Sequence, residues 1–381
     1  MKKIKIAHIL HCVGGVDVSL RLILENIDND KFENVVIHGF KDSKDDFVDS
    51  NNNKIKDYKV SILRDISLFN DFLSIINTYK IVKKENPELI HAHSAKGGVV
   101  GRIVGFLLGI KVLYTPQAFS YLSTNNKIKR KIFLFIEKAL TFKNSYLLAS
   151  SNSEKGRAIN EVKYKNQNVL LFNNSINSIE KIEVLKINKT WPDEYICTVG
   201  RPSYQKNIEL MIHVLNEVRK EKDIHLVLMG VGHHSDKLDD VKKLIDKFKL
   251  NKSVTLIEWT DRENIFNIIN NSKFYISTAR YEGLPYSIIE ALALGKPCIV
   301  SDCDGNRDLI QNDNNGFVIK GENIAEFNEK IKLLLNNEAL LEKLSVNAKV
   351  CFNENYNIQR NIKKLEEIYT RFSKRSNIAS L

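Results

Sequence analysis

Two cations, Arg201 and Lys206, stand in the run Gly200-Arg201-Pro202-Ser203-Tyr204-Gln205-Lys206-Asn207, directly after an apolar stretch ending at Val199. In a strand-to-helix turn such a pair converges on a diphosphate, the guanidinium with paired N–H donors and the ammonium as a compact charge. Two solvated surface charges are the plain alternative. Two carboxylates, Glu282 and Glu290, bracket the turn Gly283-Leu284-Pro285, and Pro285 suits the first turn of a helix. Glu290 is then the only acid in an Ile-Ile-Glu-Ala-Leu-Ala-Leu run. A carboxylate there needs ligand hydroxyls or a structural cation, because burying it unpaired is costly. The turn and the helix start after it can hold phosphate oxygens through backbone N–H groups and the helix dipole. Gly14 and Gly15 follow the first apolar run, where paired glycines let the backbone approach a ligand and the next helix offers N–H groups to an anion. A tight turn explains them as well, and their spacing is not the G-x-G-x-x-G of a dinucleotide fingerprint.

Other residues invite the same question. His91 and His93 share one face of a strand and could ligate a metal, but no third ligand is evident, so core packing or a substrate contact fits them better. Asp302-Cys303-Asp304 mimics a D-x-D metal motif at what reads as a strand-end turn. Gly230-Val231-Gly232 followed by His233-His234 reads as a loop facing a nucleotide. Glu258-Trp259-Thr260 ends another strand, where Trp259 flanks a base or belongs to the core. Asn173-Asn174-Ser175 forms a glycosylation sequon without meaning in a cytosolic chain.

The elements that must position these groups alternate along almost the whole chain, the pattern of parallel α/β sheets. Strands are expected at 4–10, 34–38, 89–92, 111–115, 145–149 and 168–171, with helices at 16–27, 68–85, 96–108, 127–140 and 154–161. The stretch 173–190 is rich in Asn, Ser, Lys and Glu and reads as a linker. The pattern restarts with strands at 194–199, 224–229, 254–257, 274–277, 297–300 and 316–319, and helices at 207–220, 236–248, 263–269 and 285–294. From 324 onward everything reads as helix. The predicted domains are 1–172 and 191–350. A helical tail at 351–381 would follow, free to pack back on the first domain.

A length of 381 residues is past the size of a single core, and 43% hydrophobic with 27% charged residues excludes a disordered or collagen-like chain. The net charge is +11, and residues 96–165 hold 13 basic against 3 acidic residues, nearly the whole imbalance. Anionic partners follow, but the basic stretch lacks interleaved aromatics, which argues against nucleic acid. Five cysteines without a C-x-x-C pair read as reduced thiols in a cytosolic protein. The run 4–10 contains Lys5 and His8 and lacks a cleavage site, so it reads as a strand and not a signal peptide. The most apolar window, 97–114, carries Arg102 and Lys111 and is too short to span a bilayer.

Arg201 and Lys206, followed by Glu282 and Glu290 within Glu-Gly-Leu-Pro and Glu-Ala-Leu-Ala-Leu-Gly-Lys-Pro, resemble family 4 of the retaining glycosyltransferases, of the bacterial surface-polysaccharide type. Gly14-Gly15, His91-Ala92-His93-Ser94, Tyr114-Thr115-Pro116, Ala149-Ser150-Ser151, Asn173-Asn174-Ser175-Ile176 and Val300-Ser301-Asp302 fall where that family has similar residues, so the likeness covers most of the chain. The resemblance implies the GT-B fold, α/β with two Rossmann-like domains facing across a cleft. It implies that Glu290 binds the ribose of a nucleotide-sugar, that Glu282 contacts the donor sugar and that Arg201 and Lys206 hold the diphosphate. Gly230, Gly283, Leu284, Pro285 and Trp259 complete the donor site; Gly14, Gly15, His93 and Gln117 form the acceptor and diphosphate loop. The family often has a histidine where this chain has Gln117, and glutamine cannot titrate, which argues against a proton relay while leaving a sugar hydrogen bond open.

The expected reaction is sugar transfer from a nucleotide-sugar, UDP by family habit, to a glycan acceptor, with undecaprenyl-linked glycans among the candidates. It proceeds with retention and without metal or cofactor. A nucleotide-sugar epimerase or hydrolase and a non-catalytic sugar-nucleotide binder are the alternatives. Lys127, Lys129, Arg130 and Lys131 beside Ile132-Phe133-Leu134-Phe135 allow two readings: a helix lying on an anionic membrane from the cytoplasmic side, or a core helix with a solvated basic end.

Overall fold

The computed structural model describes residues 2–12, 14–40, 42, 45–63, 67–232 and 235–373. The chain forms two compact units, Met1–Asn177 with Ile358–Leu381, and Ser178–Asn357. The first contains β1 (Ile4–Ile9), α1 (Gly15–Asn26), β2 (Phe32–Gly39), β3 (Lys56–Val60), α2 (Leu68–Glu85), β4 (Leu89–His93), α3 (Ser94–Leu108), β5 (Lys111–Thr115), α4 (Lys127–Ala139), β6 (Ser145–Ala149), α5 (Asn152–Arg157) and β7 (Val169–Leu171). Its seven strands run in the order β3-β2-β1-β4-β5-β6-β7, all parallel. β3 departs from expectation: Lys56, Asp57 and Lys59 hide it from a search for apolar runs, and it is an edge strand, where charge is tolerated and discourages further pairing.

The most apolar window becomes α3 and β5. Glycine lets α3 lie against the sheet, since a Cβ on Gly97 would meet the Ile9 carbonyl oxygen at 2.4 Å and one on Gly101 the Ala92 Cβ at 2.6 Å. No described helix is long and apolar enough to cross a membrane. Arg102 of α3 is fully buried and lies 2.9 Å from Glu137 of α4, over the Tyr114 ring, while the Tyr114 hydroxyl donates to the same carboxylate at 3.0 Å. Glu137 thus pins α4 by its carboxyl-terminal half. The Asn126 side chain caps the other end, accepting N–H bonds from Ile128 and Lys129.

The second unit contains β8 (Tyr195–Val199), α6 (Ile208–Val218), β9 (His225–Val231), α7 (Leu238–Lys247), β10 (Val254–Glu258), α8 (Arg262–Asn271), β11 (Tyr275–Ser277), α9 (Tyr286–Ala293), β12 (Cys298–Ser301), α10 (Asn306–Leu309), β13 (Gly316–Ile319), α11 (Ile324–Asn336) and α12 (Glu338–Asn355). Six parallel strands run β10-β9-β8-β11-β12-β13 around a core that includes Leu226, Phe274, Ile299 and Phe327. The chain then returns to the first unit as α13 (Ile358–Phe372). Ile358, Ile362, Leu365, Tyr369 and Phe372 recur at helical spacing and bury one face of α13 against Ile4, Phe32, Leu89 and Leu148 of the first sheet. Glu366 adds an anchor by accepting the Asp28 N–H at 3.0 Å.

Removing Glu137 would leave the Arg102 guanidinium buried without its anion, so Glu137→Ala should cost about 3–5 kcal/mol in a denaturant titration. Replacing the pair together, as Arg102→Met with Glu137→Leu, should recover most of that loss. A cost below about 1 kcal/mol for Glu137→Ala would mean that the pair is solvated.

Candidate active site

Each sheet starts in its middle, with β1 between β2 and β4 and β8 between β9 and β11. Loops leaving the two strands at such a reversal run in opposite directions and open a crevice at their carboxyl ends, where ligands bind in open α/β sheets. The candidate residues fall at these two places.

In the second unit, the loop after β8 brings Arg201 and Lys206, and the loop after β11 brings Glu282. The Lys206 ammonium lies 2.7 Å from Glu282 Oε1, and Gln205 Nε2 donates to Glu282 Oε2 at 3.1 Å. The two loops are stitched further by the Arg280 N–H donating to the Gln205 carbonyl and by Arg280 Nη1 donating to the Tyr204 carbonyl. Gly230, near the end of β9 and beside the Gly200 backbone, has φ +90, a conformation that favours glycine. Gly283, Leu284 and Pro285 are buried, and Pro285 is the residue before the helix, extended at ψ 123, with α9 starting at Tyr286. Gly305 fixes that turn from the other side: its φ is +77, and a Cβ would meet the Gly283 carbonyl oxygen at 2.6 Å.

Glu290 is buried on α9, and its partner is Arg262, whose Nε and Nη2 both donate to Oε1, at 3.1 and 2.7 Å. Burial raises the Glu290 carboxyl above its ordinary value, and Arg262 opposes that rise. Trp259 is 66% exposed at the end of β10, which removes the core reading, and a Cβ on Gly232 would lie 3.5 Å from its Cδ1. Asp302 and Asp304 are both held by one guanidinium, that of Arg307. His233 and His234 lie outside the described residues. Gln205, Arg262, Arg280, Gly305 and Arg307 escaped the sequence reading. Arg262 had a signal, since a cation at the first position of a helix opposes the dipole and needs an anion elsewhere.

In the first unit, Gly14 precedes α1 with φ +65 and is exposed together with Gly15, while Val13 lies outside the described residues. Left-handed backbone recurs at the neighbouring strand ends, in Ser94 at φ +58, Gln117 at +52 and Ala118 at +81. Strain of this kind in non-glycine residues persists where surrounding structure over-determines it and gathers at functional sites. The side chain of Gln117 has its Nε2 buried without a protein acceptor.

His93 is a correction. Its side chain is fully buried and does not line the loop. The expectation that no third histidine accompanies His91 and His93 is also overturned, because β1 pairs in register with β4 and sets His8 opposite His91. His8 Nε2 meets Asn34 Oδ1, which can only accept, so His8 carries its proton there and accepts at Nδ1 from His93 Nε2, 3.1 Å away. His91 is held by the Tyr369 hydroxyl and by Thr115 Oγ1. Five of the six ring nitrogens therefore have protein partners, and the cluster reads as a hydrogen-bonded core that docks α13. Burial pushes His8 down to about 4 and the other two well below their ordinary range, so all three are neutral.

Comparisons with known proteins bear on this geometry. Residues 179–350 match the family described as Glycosyl transferases group 1, and residues 30–152 the one described as Glycosyl transferase 4-like. The chain is 28% identical to the Escherichia coli UDP-Gal:alpha-D-GlcNAc-diphosphoundecaprenol alpha-1,3-galactosyltransferase, across 96% of this chain and 97% of that protein. It is 26% identical to the Staphylococcus aureus capsular polysaccharide biosynthesis glycosyltransferase CapM, across 99% of each. Among solved structures, sucrose-phosphate synthase from Thermosynechococcus elongatus superposes with a TM-score of 0.81 at 16% identity over 100% of both chains. Anabaena HepE with UDP-glucose gives 0.78 at 16% identity over 96% of this chain and 99% of that one. These likenesses establish the fold as GT-B, built from two Rossmann-like α/β domains.

Arg262 holds the Glu290 carboxyl down against burial, so Arg262→Ala should raise the pKa of Glu290 further. An NMR titration of the Glu290 side-chain carboxyl carbon reads this directly. An unchanged or lowered midpoint would show that Arg262 does not govern the charge of this group.

Proposed function

The chain belongs to the glycosyltransferase family whose models match both of its halves, and on that premise we propose that it transfers a sugar from a UDP-sugar to a glycan, with retention and without metal. The observation that carries the reading is the Lys206–Glu282 ion pair, which joins the loops after β8 and β11 at the reversal between these strands, with Arg201 in the first loop and α9 following the second. The donor is held by the second unit, with Glu290 on the ribose and Arg262 opposing the rise that burial imposes on that carboxyl. The first unit, with Gly14, Gly15 and Gln117, receives the acceptor.

As the glycosidic bond lengthens, positive charge grows on the sugar ring and negative charge on the leaving diphosphate. Arg201, Lys206 and the α9 N-terminus are fixed in advance where that negative charge develops, and preorganised cations of this kind are commonly the largest source of rate. Retention by double displacement needs an acid and a nucleophile. Glu282 is already engaged by Lys206 and Gln205, and one carboxylate cannot fill both roles. A front-face reaction, in which the leaving phosphate takes the proton of the acceptor hydroxyl, avoids the need for a second carboxylate. Metal independence is supported by Arg307, which occupies Asp302 and Asp304.

The Escherichia coli relative is named for UDP-galactose and a GlcNAc-diphosphoundecaprenol acceptor, which makes that pair the first substrates to try. Transfer should appear with both present, the product should keep the α-anomeric configuration by NMR, and EDTA should leave the rate unchanged. Arg201→Ala and Lys206→Ala should each lower kcat about 10²-fold or more while raising KM less. Abolition by EDTA would return Asp302 and Asp304 as metal ligands, and nucleotide release that needs no acceptor would favour a hydrolase.

A lipid-linked acceptor places the enzyme at the inner face of the cytoplasmic membrane, and α4 fits that location. Lys127, Lys129, Arg130 and Lys131 are exposed, together with Ile128 and Phe135 at 70% each, while Glu137 holds the far end of the helix in the core. Basic residues near an anionic bilayer contribute about 1 kcal/mol each. Changing these four to Glu should abolish sedimentation with phosphatidylglycerol vesicles and spare UDP-sugar binding. Wild-type protein that stays in the supernatant at low salt would overturn the membrane role.

A further inference from the structure

Glu154 has no part in the reading above, yet its carboxylate is one of the most completely committed groups in the first unit. It is 2% exposed at the start of α5. Oε1 accepts the backbone N–H of Ala118 at 2.8 Å; Oε2 accepts the backbone N–H of Ser150 at 2.7 Å and the Ser150 hydroxyl at 2.9 Å. Its own N–H donates to Ser151 Oγ, which caps α5. Glu154 therefore joins the turn that leaves β5 to the turn that leaves β6, both at the carboxyl ends of the sheet.

The turn it holds is the one with consecutive left-handed residues. Gln117 and Ala118 have φ of +52 and +81 without being glycine. L-residues avoid this region because Cβ crowds the backbone, and two in succession need outside support. Buried Pro116 and Phe119 fix the two ends of the turn, and the bond from the Ala118 N–H to Glu154 is the contact that spans its middle. What the strain maintains is Gln117, half-buried with its amide nitrogen shielded from water and without an acceptor. A buried donor left unpaired is costly, and natural structures rarely keep one without a use.

We propose that Glu154 is a positioning residue which, by tying the β5 and β6 turns together, holds the Gln117 amide ready to donate to an oxygen of the bound sugar. This rests on the transferase reading and adds to it the buried group that keeps the sugar contact in place. A carboxylate suits the task because it accepts from both turns at once, and glutamine could accept with only one oxygen.

The test uses the full chain with UDP-galactose and a GlcNAc-diphosphate lipid, reading kcat/KM, melting temperature and hydrogen exchange at the Ala118 amide. Glu154→Ala should speed exchange at Ala118 and cut kcat/KM on the order of 10²-fold, the scale of a misplacement of about 1 Å. Gln117→Ala should cut kcat/KM comparably while leaving the melting temperature unchanged or raised, since it removes an unpaired donor. Adding Ala118→Gly to Glu154→Ala should restore part of the rate, because glycine adopts positive φ without support. If Glu154→Ala does not fold, Glu154→Gln serves in its place, with faster Ala118 exchange and a smaller loss of rate. An active wild type whose Glu154 variants melt earlier but keep kcat/KM, or whose Gln117→Ala variant keeps it, overturns the positioning role alone. A wild type that transfers no sugar overturns the transferase reading, and this inference with it.

Discussion

A carboxylate taken out of water must be met by cations or by N–H and O–H donors, and five glutamates among the described residues are in that position. Each joins segments far apart in the chain. Glu137 joins α4 to α3 through Arg102, and Glu366 joins α13 to the turn before β2. Glu154 joins the turns after β5 and β6, Glu282 joins the loops after β8 and β11, and Glu290 joins α9 to the start of α8. Three of these ties hold helices and two hold loops at the carboxyl ends of strands. The apolar core decides that sheets and helices form, and these paired charges decide where the loops between them come to rest.

The two units apply one topological solution twice. A parallel sheet that begins in its middle must send successive crossovers in opposite directions, so each unit has a single reversal where two loops diverge. The second unit fills that place with cations, a helix N-terminus and backbone turns allowed by Gly230 and Gly305. The first fills it with exposed glycine, left-handed turns and amides. The difference suits the two proposed roles, since a diphosphate is anionic and compact whereas a glycan offers hydroxyls to hydrogen-bonding groups.

Several contacts in the second unit join the residues proposed to engage a nucleotide-sugar. Lys206 and Glu282 satisfy each other, as do Arg262 and Glu290. In such pairs each charge lowers the cost of burying the other, and the contact orients both side chains. On the proposed reading, a diphosphate would exchange one set of charged contacts for another, and a ribose would offer hydroxyls to a carboxylate whose charge already has a partner. The first unit adds buried neutral groups to its charged ties: three imidazoles kept uncharged by burial in its core, and a glutamine where the family resemblance leads one to look for a histidine.

How much of this the amino-acid sequence determines follows from the range of the forces involved. Strand and helix positions are written in local periodicity, which is why nearly all were legible and why polar β3, stabilised by its neighbour β2, was not. The helical repeat of Ile358, Ile362, Leu365 and Tyr369 identifies an apolar face, yet nothing local says that the face is covered by the first sheet. Arg201, Lys206, Glu282 and Glu290 stand out in the sequence as candidate site residues because their types are unusual at strand-end loops and in an apolar helix. Their partners do not: Arg262 is 28 residues from Glu290, and Gln205 is 77 from Glu282. His8 and His93, 85 residues apart, meet only because β1 pairs with β4, and Ala118 and Glu154 only because β5 pairs with β6. Short-range pattern determined the elements and the kinds of chemistry present. Which charge meets which was decided by strand order, because hydrogen bonds and ion pairs act over a few ångströms and only the folded sheet brings distant residues within that reach.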